Sequence, residues 1–342
     1  KVPQKIHLKR EVFTANVGRL FIVNIVIFLF CSFIMMRYIQ QIETIALVSM
    51  FLNAASDLTQ LRSNMSNGFS GSYHWYSLFM HDLMSISSCM FLVMYCSKQG
   101  KPYKYMFYLS FFVTIFSVSM TTEKAPVVWL LLQYILTYTI AKKHSKIEFT
   151  LIFKILFVLI AVITITDIMF MGSGNVSSAL LSVASRAFAG SIQPAYHYLE
   201  IFPAKEAFKH GTTFPNPGGL LPFTPYELTK NVMNIVNPAD SANGVVGTMP
   251  TIFWGEAYAN FGVLGVVVVS LCVGTYVKFL DNVFNSIRLT AVSISFYTWL
   301  IMHLKDLSVT GFSDYVFDVR LVILAFIITS VYLIVYKLRF KL

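Results

Sequence analysis

Glu256 and Asn260 stand one helical turn apart in the run Pro250-Thr251-Ile252-Phe253-Trp254-Gly255-Glu256-Ala257-Tyr258-Ala259-Asn260-Phe261-Gly262-Val263-Leu264-Gly265, which puts them on one helix face and Tyr258 on another. A carboxylate on the inward face of an apolar helix is a general-base candidate, able to take a proton from an attacking hydroxyl. Arg186, in Ser185-Arg186-Ala187-Phe188-Ala189-Gly190, offers the complementary chemistry, a guanidinium that forks onto phosphate or carboxylate. Tyr196, His197 and Tyr198 then present ring faces and polar tips of the kind that suit sugars, and His210 opens the turn-dense stretch His210-Gly211-Thr212-Thr213-Phe214-Pro215-Asn216-Pro217-Gly218-Gly219. His81, Asp82, Asp167, His303, Lys305 and Arg320 are further ionisable groups at the ends of apolar runs, where each is a functional-site hypothesis. Each group also has an ordinary explanation. A helix dipole favours a carboxylate in the first turn, headgroups anchor arginine, and aromatic residues gather at membrane interfaces.

Composition sets the elements that hold these groups. Of 342 residues, 56% are hydrophobic and 12% charged, roughly half the charged share of a soluble domain. Apolar runs recur at 20–36, 75–97, 105–122, 125–141, 149–170, 251–277, 288–304 and 320–337, near the length of about 20 residues that crosses a bilayer as a helix. They do not alternate, which excludes a β-barrel. The expected fold is an all-α polytopic membrane protein of eight to ten transmembrane helices. The run 42–56 is too short and too amphipathic to count as a span and is expected to be interfacial or re-entrant. Leaving it out places 17 of the 26 basic residues on one side, in the N-terminus, the 98–104 and 142–146 loops, inner span ends and the C-terminal tail. That side is expected to be the cytoplasm of a multi-pass protein in the bacterial inner membrane. The net charge of +10 is then loop charge beside membrane lipids, not a nucleic-acid footprint.

On this topology His81, Asp82, Asp167, Glu256 and His303 all lie near the outer ends of spans, describing a cavity open to the outer leaflet. Residues 171–250 form one large periplasmic loop containing short helices, with eight of the eleven prolines and eight of the seventeen glycines; a loop this long is usually functional. Helical spacing runs from Val176 to Leu199, with Pro194 expected to kink or split it and Pro203 to stop it. The chain therefore divides into a bundle over 1–170, a loop over 171–250 and further spans over 251–342. Gly255, Gly262 and Gly265 are expected to let neighbouring helices approach closely. The four cysteines sit in apolar runs and read as small buried hydrophobes, not as disulfides or a zinc site.

No nucleotide-phosphate loop, dinucleotide fingerprint or H-E-x-x-H metal pair is present, and Gly68-Phe69-Ser70-Gly71 falls short of a nucleophile elbow. The segment Pro250–Gly265, reached from a large Pro/Gly-rich outer loop, resembles that of the Wzy-type O-antigen and capsule repeat-unit polymerases, in which Pro-x-x-x-x-x-Glu-x-Tyr-x-Asn-x-Gly-x-x-Gly opens the span after the main periplasmic loop. Here Pro250, Glu256, Tyr258, Asn260, Gly262 and Gly265 match it, and the apolar helix with Arg186 adds to the likeness. The chain departs from the family in having one sizeable outer loop instead of two; the second, 305–319, is short, though polar through Lys305, Asp306, Asp314 and Asp318.

The resemblance implies a polysaccharide polymerase acting on the periplasmic face. It implies glycosyl transfer from a glycan on undecaprenyl diphosphate to a lipid-linked oligosaccharide repeat unit. The reaction is expected to need no metal and no other cofactor, to invert the anomeric carbon, and to involve a chain-length regulator protein as partner. Glu256 would be the general base, with His197, His210 and Asp82 as fallbacks. Arg186, supported by Lys305 or Arg320, would meet the departing diphosphate. Tyr196, His197, His210, Tyr258, Asn260, His81 and Asp82 would line the substrate site. Two other activities suit the same features: a lipid-linked glycan ligase and, in a different class, a lipid-linked oligosaccharide flippase.

Overall fold

A computed structural model describes residues 12–52, 58–66, 69, 72–98, 100–143, 192–239, 247–316 and 318–337, with isolated positions between 153 and 185. The described residues are helical, with no strand among them. In chain order the helices are α1 (Val17–Ile39), α2 (Ala46–Phe51), α3 (Leu58–Met65), α4 (Tyr73–Lys98), α5 (Lys101–Ser119), α6 (Lys124–Lys143), α7 (Gln193–Ile201), α8 (Leu228–Val236), α9 (Phe253–Ser286), α10 (Ala291–Leu304) and α11 (Val319–Tyr332).

Five helical stretches are long and apolar enough to cross a membrane: Val17–Ile39, Tyr73–Lys98, Ala125–Lys142, Phe253–Ser286 and Ser313–Lys337. The other expected spans fare differently. α10 has 14 residues, short of the ~20 that a bilayer asks for. α5 has 19, but Lys101, Lys104, Ser110, Thr114 and Ser117 dilute its apolar character. Most of 149–170 lies outside the described residues. The expected eight to ten spans therefore reduce to five candidates among the described residues. Within 42–56, α2 is a helix of only six residues, too short to span.

The chain divides into two compact units: Lys1–Leu159 with Ser286–Met302 and Arg320–Leu342, and Ile160–Asn285 with His303–Val319. The C-terminal segment thus contributes to both.

In the first unit α4 is central, and Ser85, Ser87, Ser88 and Cys89 give it a buried small-residue surface. Small residues let helices approach closely where lipid removes the hydrophobic drive for association. Hydrogen bonds then join the helices. Asn24 of α1 donates to the Ser87 carbonyl at 3.0 Å and accepts from its hydroxyl at 2.9 Å. Tyr134 of α6 donates to Ser88 at 2.7 Å, and Ser88 meets Ser110 of α5 at 2.9 Å. Thr137 and Thr298 pair at 2.9 Å.

In the second unit the amphipathic helices α7 and α8 lie on the first turns of α9. Tyr198, Ile201, Phe202, Leu228, Val232 and Ala259 form the buried cluster between them. Pro194 occupies the first turn of α7, where the missing N–H has no intrahelical acceptor to lose; residues 186–191 ahead of it, on which the expected kink or split bears, lie outside the described residues.

Candidate functional site

The residues of the Pro250–Gly265 segment converge on one network in the second unit. Gly262 breaks α9 with φ 65° and ψ −155°, a region essentially restricted to glycine. The break takes intrahelical donors from the carbonyls just upstream. Those of Ala259 and Asn260 accept instead from the backbone N–H groups of Lys209 and His210, at 3.0 and 3.1 Å. The Asn260 side chain continues the pairing, accepting from Gly211 N–H at 2.8 Å and donating to the Thr213 hydroxyl at 2.8 Å. Thr213 donates in turn to Glu256 Oε1 at 2.7 Å, and Ser313 N–H donates to Glu256 Oε2 at 3.0 Å.

Glu256 is 3% exposed and Asn260 fully buried. Both Glu256 oxygens are therefore engaged inside the protein, one by the 209–214 loop and one by the 311–313 turn. A Cβ at Gly311 would run into this carboxylate, so that position admits no side chain without moving it.

Tyr258 turns the other way and stacks edge-on against Phe208, ring centroids 5.9 Å apart. The expected role of the three glycines needs correcting. A side chain at Gly255 would meet Thr251, one at Gly262 would meet Phe208, and one at Gly265 would meet Phe261 and the Ala257 carbonyl. Among the described residues, the neighbours they make room for are the loop and the broken helix itself.

His210 is the consequence of this clamp. Its backbone is held at φ 48°, left-handed geometry that costs a non-glycine residue roughly 1 kcal/mol or more, and its side chain is exposed. Beside it, Lys209 Nζ pairs with Glu206 at 2.7 Å and lies 4.0 Å from the Tyr226 ring centroid. Burial lifts the Tyr226 hydroxyl above its usual range, against the pull of Lys209. It lifts the Tyr198 hydroxyl further, and Tyr198 donates to the Met249 carbonyl at 2.9 Å. Tyr198 is thus a core residue and not a sugar platform. Its neighbour Tyr196 is 64% exposed, and His197 is half-buried with Nδ1 4.0 Å from Glu200.

The 303–319 segment of the same unit carries a second polar group. His303 Nε2 lies 2.5 Å from Asp318 Oδ2, and Tyr315 donates to the His303 carbonyl at 2.7 Å. Lys305 pairs with Asp306 at 2.5 Å.

In the first unit, α4 opens into a π-helical turn over Leu78–Leu83, a feature that recurs at functional sites. It carries His81 and Asp82. Asp82 accepts from Trp299 Nε1 at 3.1 Å and faces Arg320 Nη1 at 3.5 Å. Arg320 also donates from Nε to His74 at 3.3 Å, with Nη2 3.0 Å from the other ring nitrogen. His81 Nε2 is buried without a hydrogen-bond partner. Sequence reasoning named Asp82 and Arg320 separately but not His74 or Trp299. It also missed Thr213 and Ser313, whose only signal was their place in turn-rich polar stretches.

Arg186 and Asp167 lie outside the described residues. Among the described residues, no group of three or more His, Cys, Asp or Glu side chains is arranged to hold a metal ion. Compared with protein-family models, curated proteins and solved structures, the chain matches none.

Proposed function

We propose that this protein is a membrane polysaccharide polymerase that joins lipid-diphosphate-linked oligosaccharide repeat units on the outer face of a bacterial inner membrane. The observation that carries this reading is the convergence of Glu256, Asn260 and Gly262 on one clamp, which holds the 209–214 loop and its exposed His210 at the start of a membrane-spanning helix. The same residues carry the resemblance to repeat-unit polymerases.

In this reading an acceptor hydroxyl attacks the anomeric carbon of the growing glycan. Its proton passes to a base, and the bond from that carbon to the lipid diphosphate breaks with its electron pair on the departing phosphate oxygen. A single displacement of this kind inverts the anomeric centre. The base is His210, because Glu256 has both oxygens committed to Thr213 and Ser313 and serves as a positioning residue. Imidazole is the side chain most often used for this task. Arginine meets the developing diphosphate charge through forked hydrogen bonds; Arg186 is assigned that role, with Lys305 in support. In the first unit Arg320, beside Trp299 and His74, is a separate candidate for anion binding.

The test is purified protein in nanodiscs with synthetic undecaprenyl-diphosphate repeat unit, with and without EDTA, read on a gel. The expected result is a ladder that survives EDTA and disappears in Arg186→Ala. A single transfer without a ladder would point to a ligase. No product from folded protein and intact substrate would overturn the reading and send the protein to a liposome translocation assay.

A further inference from the structure

Residues 211–226 contain no charged side chain, although His210 precedes them and Glu227 follows. They form a closed Ω-shaped loop. Its neck is the Tyr226 N–H bond to the Thr212 carbonyl at 2.8 Å. Its tip is locked by one side chain: Asn216 Nδ2 donates to the Leu221 and Phe223 carbonyls at 2.9 and 2.8 Å, and Asn216 Oδ1 accepts from Leu221 N–H at 2.8 Å. Gly218 and Gly219 supply the left-handed φ values of 68° and 69° that turn the chain there. The outcome is a pre-shaped tip that presents Leu220 83% exposed and Leu221 37% exposed. An ordered loop that holds two adjacent leucines outward is unlike a solvated linker, which would be polar and untied.

The base of this loop tells what covers the tip. Gly211 and Thr213 are bonded to Asn260 and Glu256, in the first two turns of the membrane-spanning helix that begins at Phe253. At ~1.5 Å per residue these anchors sit roughly 5–10 Å down the helix from its start. Seven further residues carry the chain from Thr213 to Leu220, a reach of at most about 25 Å. The loop is thus tied to one end of that helix, with its tip within reach of the layer where headgroups give way to acyl chains. An uncharged tip can enter that layer, whereas a charged one would be held at its surface.

We infer that the 212–226 loop is a membrane anchor whose Leu220–Leu221 tip inserts into the acyl region of the bilayer around α9. It holds the clamped loop, and with it His210, at a fixed depth. The inference does not depend on the reaction proposed above. An interfacial anchor of this kind suits any protein that works on a substrate lying in the same leaflet.

The experiment places an environment-sensitive fluorophore on Leu220→Cys, in a background lacking the native cysteines, with the protein in nanodiscs. Ala204→Cys, on an exposed turn of the same unit, is the comparison. Lipids brominated near the top of their acyl chains should quench the label at 220 several-fold more than the label at 204, and aqueous iodide should do the reverse. Adding Asn216→Ala, which unties the tip, should narrow the difference. A label at 220 that iodide reaches as freely as the one at 204 would overturn the inference. So would a label shielded from iodide yet untouched by brominated lipid, because protein and not bilayer would then cover the tip. Thermal unfolding of the labelled variants, expected unchanged, shows that the readings come from folded protein.

Discussion

The Glu256 network and the Asp82–Arg320 cluster each pair a carboxylate with hydrogen-bond donors, yet they are built for different work. Around Glu256 the contacts are short, 2.7–3.0 Å, and the carboxylate is 3% exposed. Each oxygen meets a donor fixed by the backbone or by a buried asparagine. Around Asp82 the Arg320 contact is 3.5 Å, and the two side chains keep 31% and 21% of their surface in contact with solvent. Hydrogen bonds weaken with length, and a partly solvated guanidinium has five N–H donors to redistribute. A saturated, buried acid fixes the shape of the chain. A partly solvated arginine, held also by His74 at 3.0 and 3.3 Å, keeps donors that an incoming phosphate could take in the proposed reaction. The comparison teaches that the buried acid, the more conspicuous of the two in sequence, is the less available for chemistry.

The largest expected effect tests the group that the saturated network positions. His210→Gly keeps the backbone bond to Asn260 and suits φ 48°, while removing the imidazole. Loss of a general base lowers turnover by roughly 10²- to 10⁴-fold, and relief of the left-handed conformation should raise stability by up to about 1 kcal/mol. Opposite changes in ladder formation and melting temperature are the signature. Unchanged chain growth would remove His210 from the reaction.

Glu256→Ala comes next. It leaves the buried Ser313 N–H and the part-buried Thr213 hydroxyl without their acceptor, at ~1–3 kcal/mol for each group. We expect a loss of about 3–5 kcal/mol by thermal unfolding in nanodiscs. Glu256→Gln, whose amide oxygen still accepts one of the two bonds, should recover a large part of it. If Glu256 were the base instead, Gln would preserve stability and abolish chain growth, and the contrast between the two regions would collapse.

Much of this frame could be read from residue spacing. The i, i+4 relation of Glu256 and Asn260 put them on one face, Pro203 marked the end of α7, and the 42–56 segment was too short to span. What spacing could not reveal was long-range closure. Thr213 and Ser313 reach Glu256 from 43 and 57 positions away in the chain, and nothing local to either marks the pairing. Gly262 shows the limit most clearly. In sequence it is a small residue in an apolar helix, read as a helix-packing site. In the structure it breaks the helix, because the loop at 209–210 supplies the donors that the break would otherwise leave missing. The span count is legible only in part, for a related reason: Ser110, Thr114 and Ser117 lower the apolar character of α5, and neighbouring helices bury them. Arg186 lies outside the described residues, so its part in the site rests on chemistry alone.

Arg320→Lys tests the looser region. Lysine keeps the charge but loses the planar fork that spans Asp82 and His74. The expected result is about a tenfold fall in chain growth, equivalent to one charge-assisted hydrogen bond of ~1.5 kcal/mol, with stability nearly unchanged. A large drop in melting temperature with normal turnover would show that the cluster is a structural pin like the Glu256 network.

The smallest expected effect sets the scale for both. Tyr134→Phe removes the hydroxyl that donates to Ser88 at 2.7 Å across α6 and α4, but Ser88 and Ser110 remain 2.9 Å apart and can satisfy each other. Interhelical hydrogen bonds within membranes average roughly 0.6 kcal/mol, so the melting temperature should fall only slightly and chain growth should not change. The reason is redundancy. Removing the tyrosine strands no donor, whereas removing Glu256 strands two, one buried and one part-buried. A Tyr134→Phe penalty as large as that of Glu256→Ala would mean that the number of groups left unpaired does not set the cost, and the distinction drawn between the two regions would lose its physical basis.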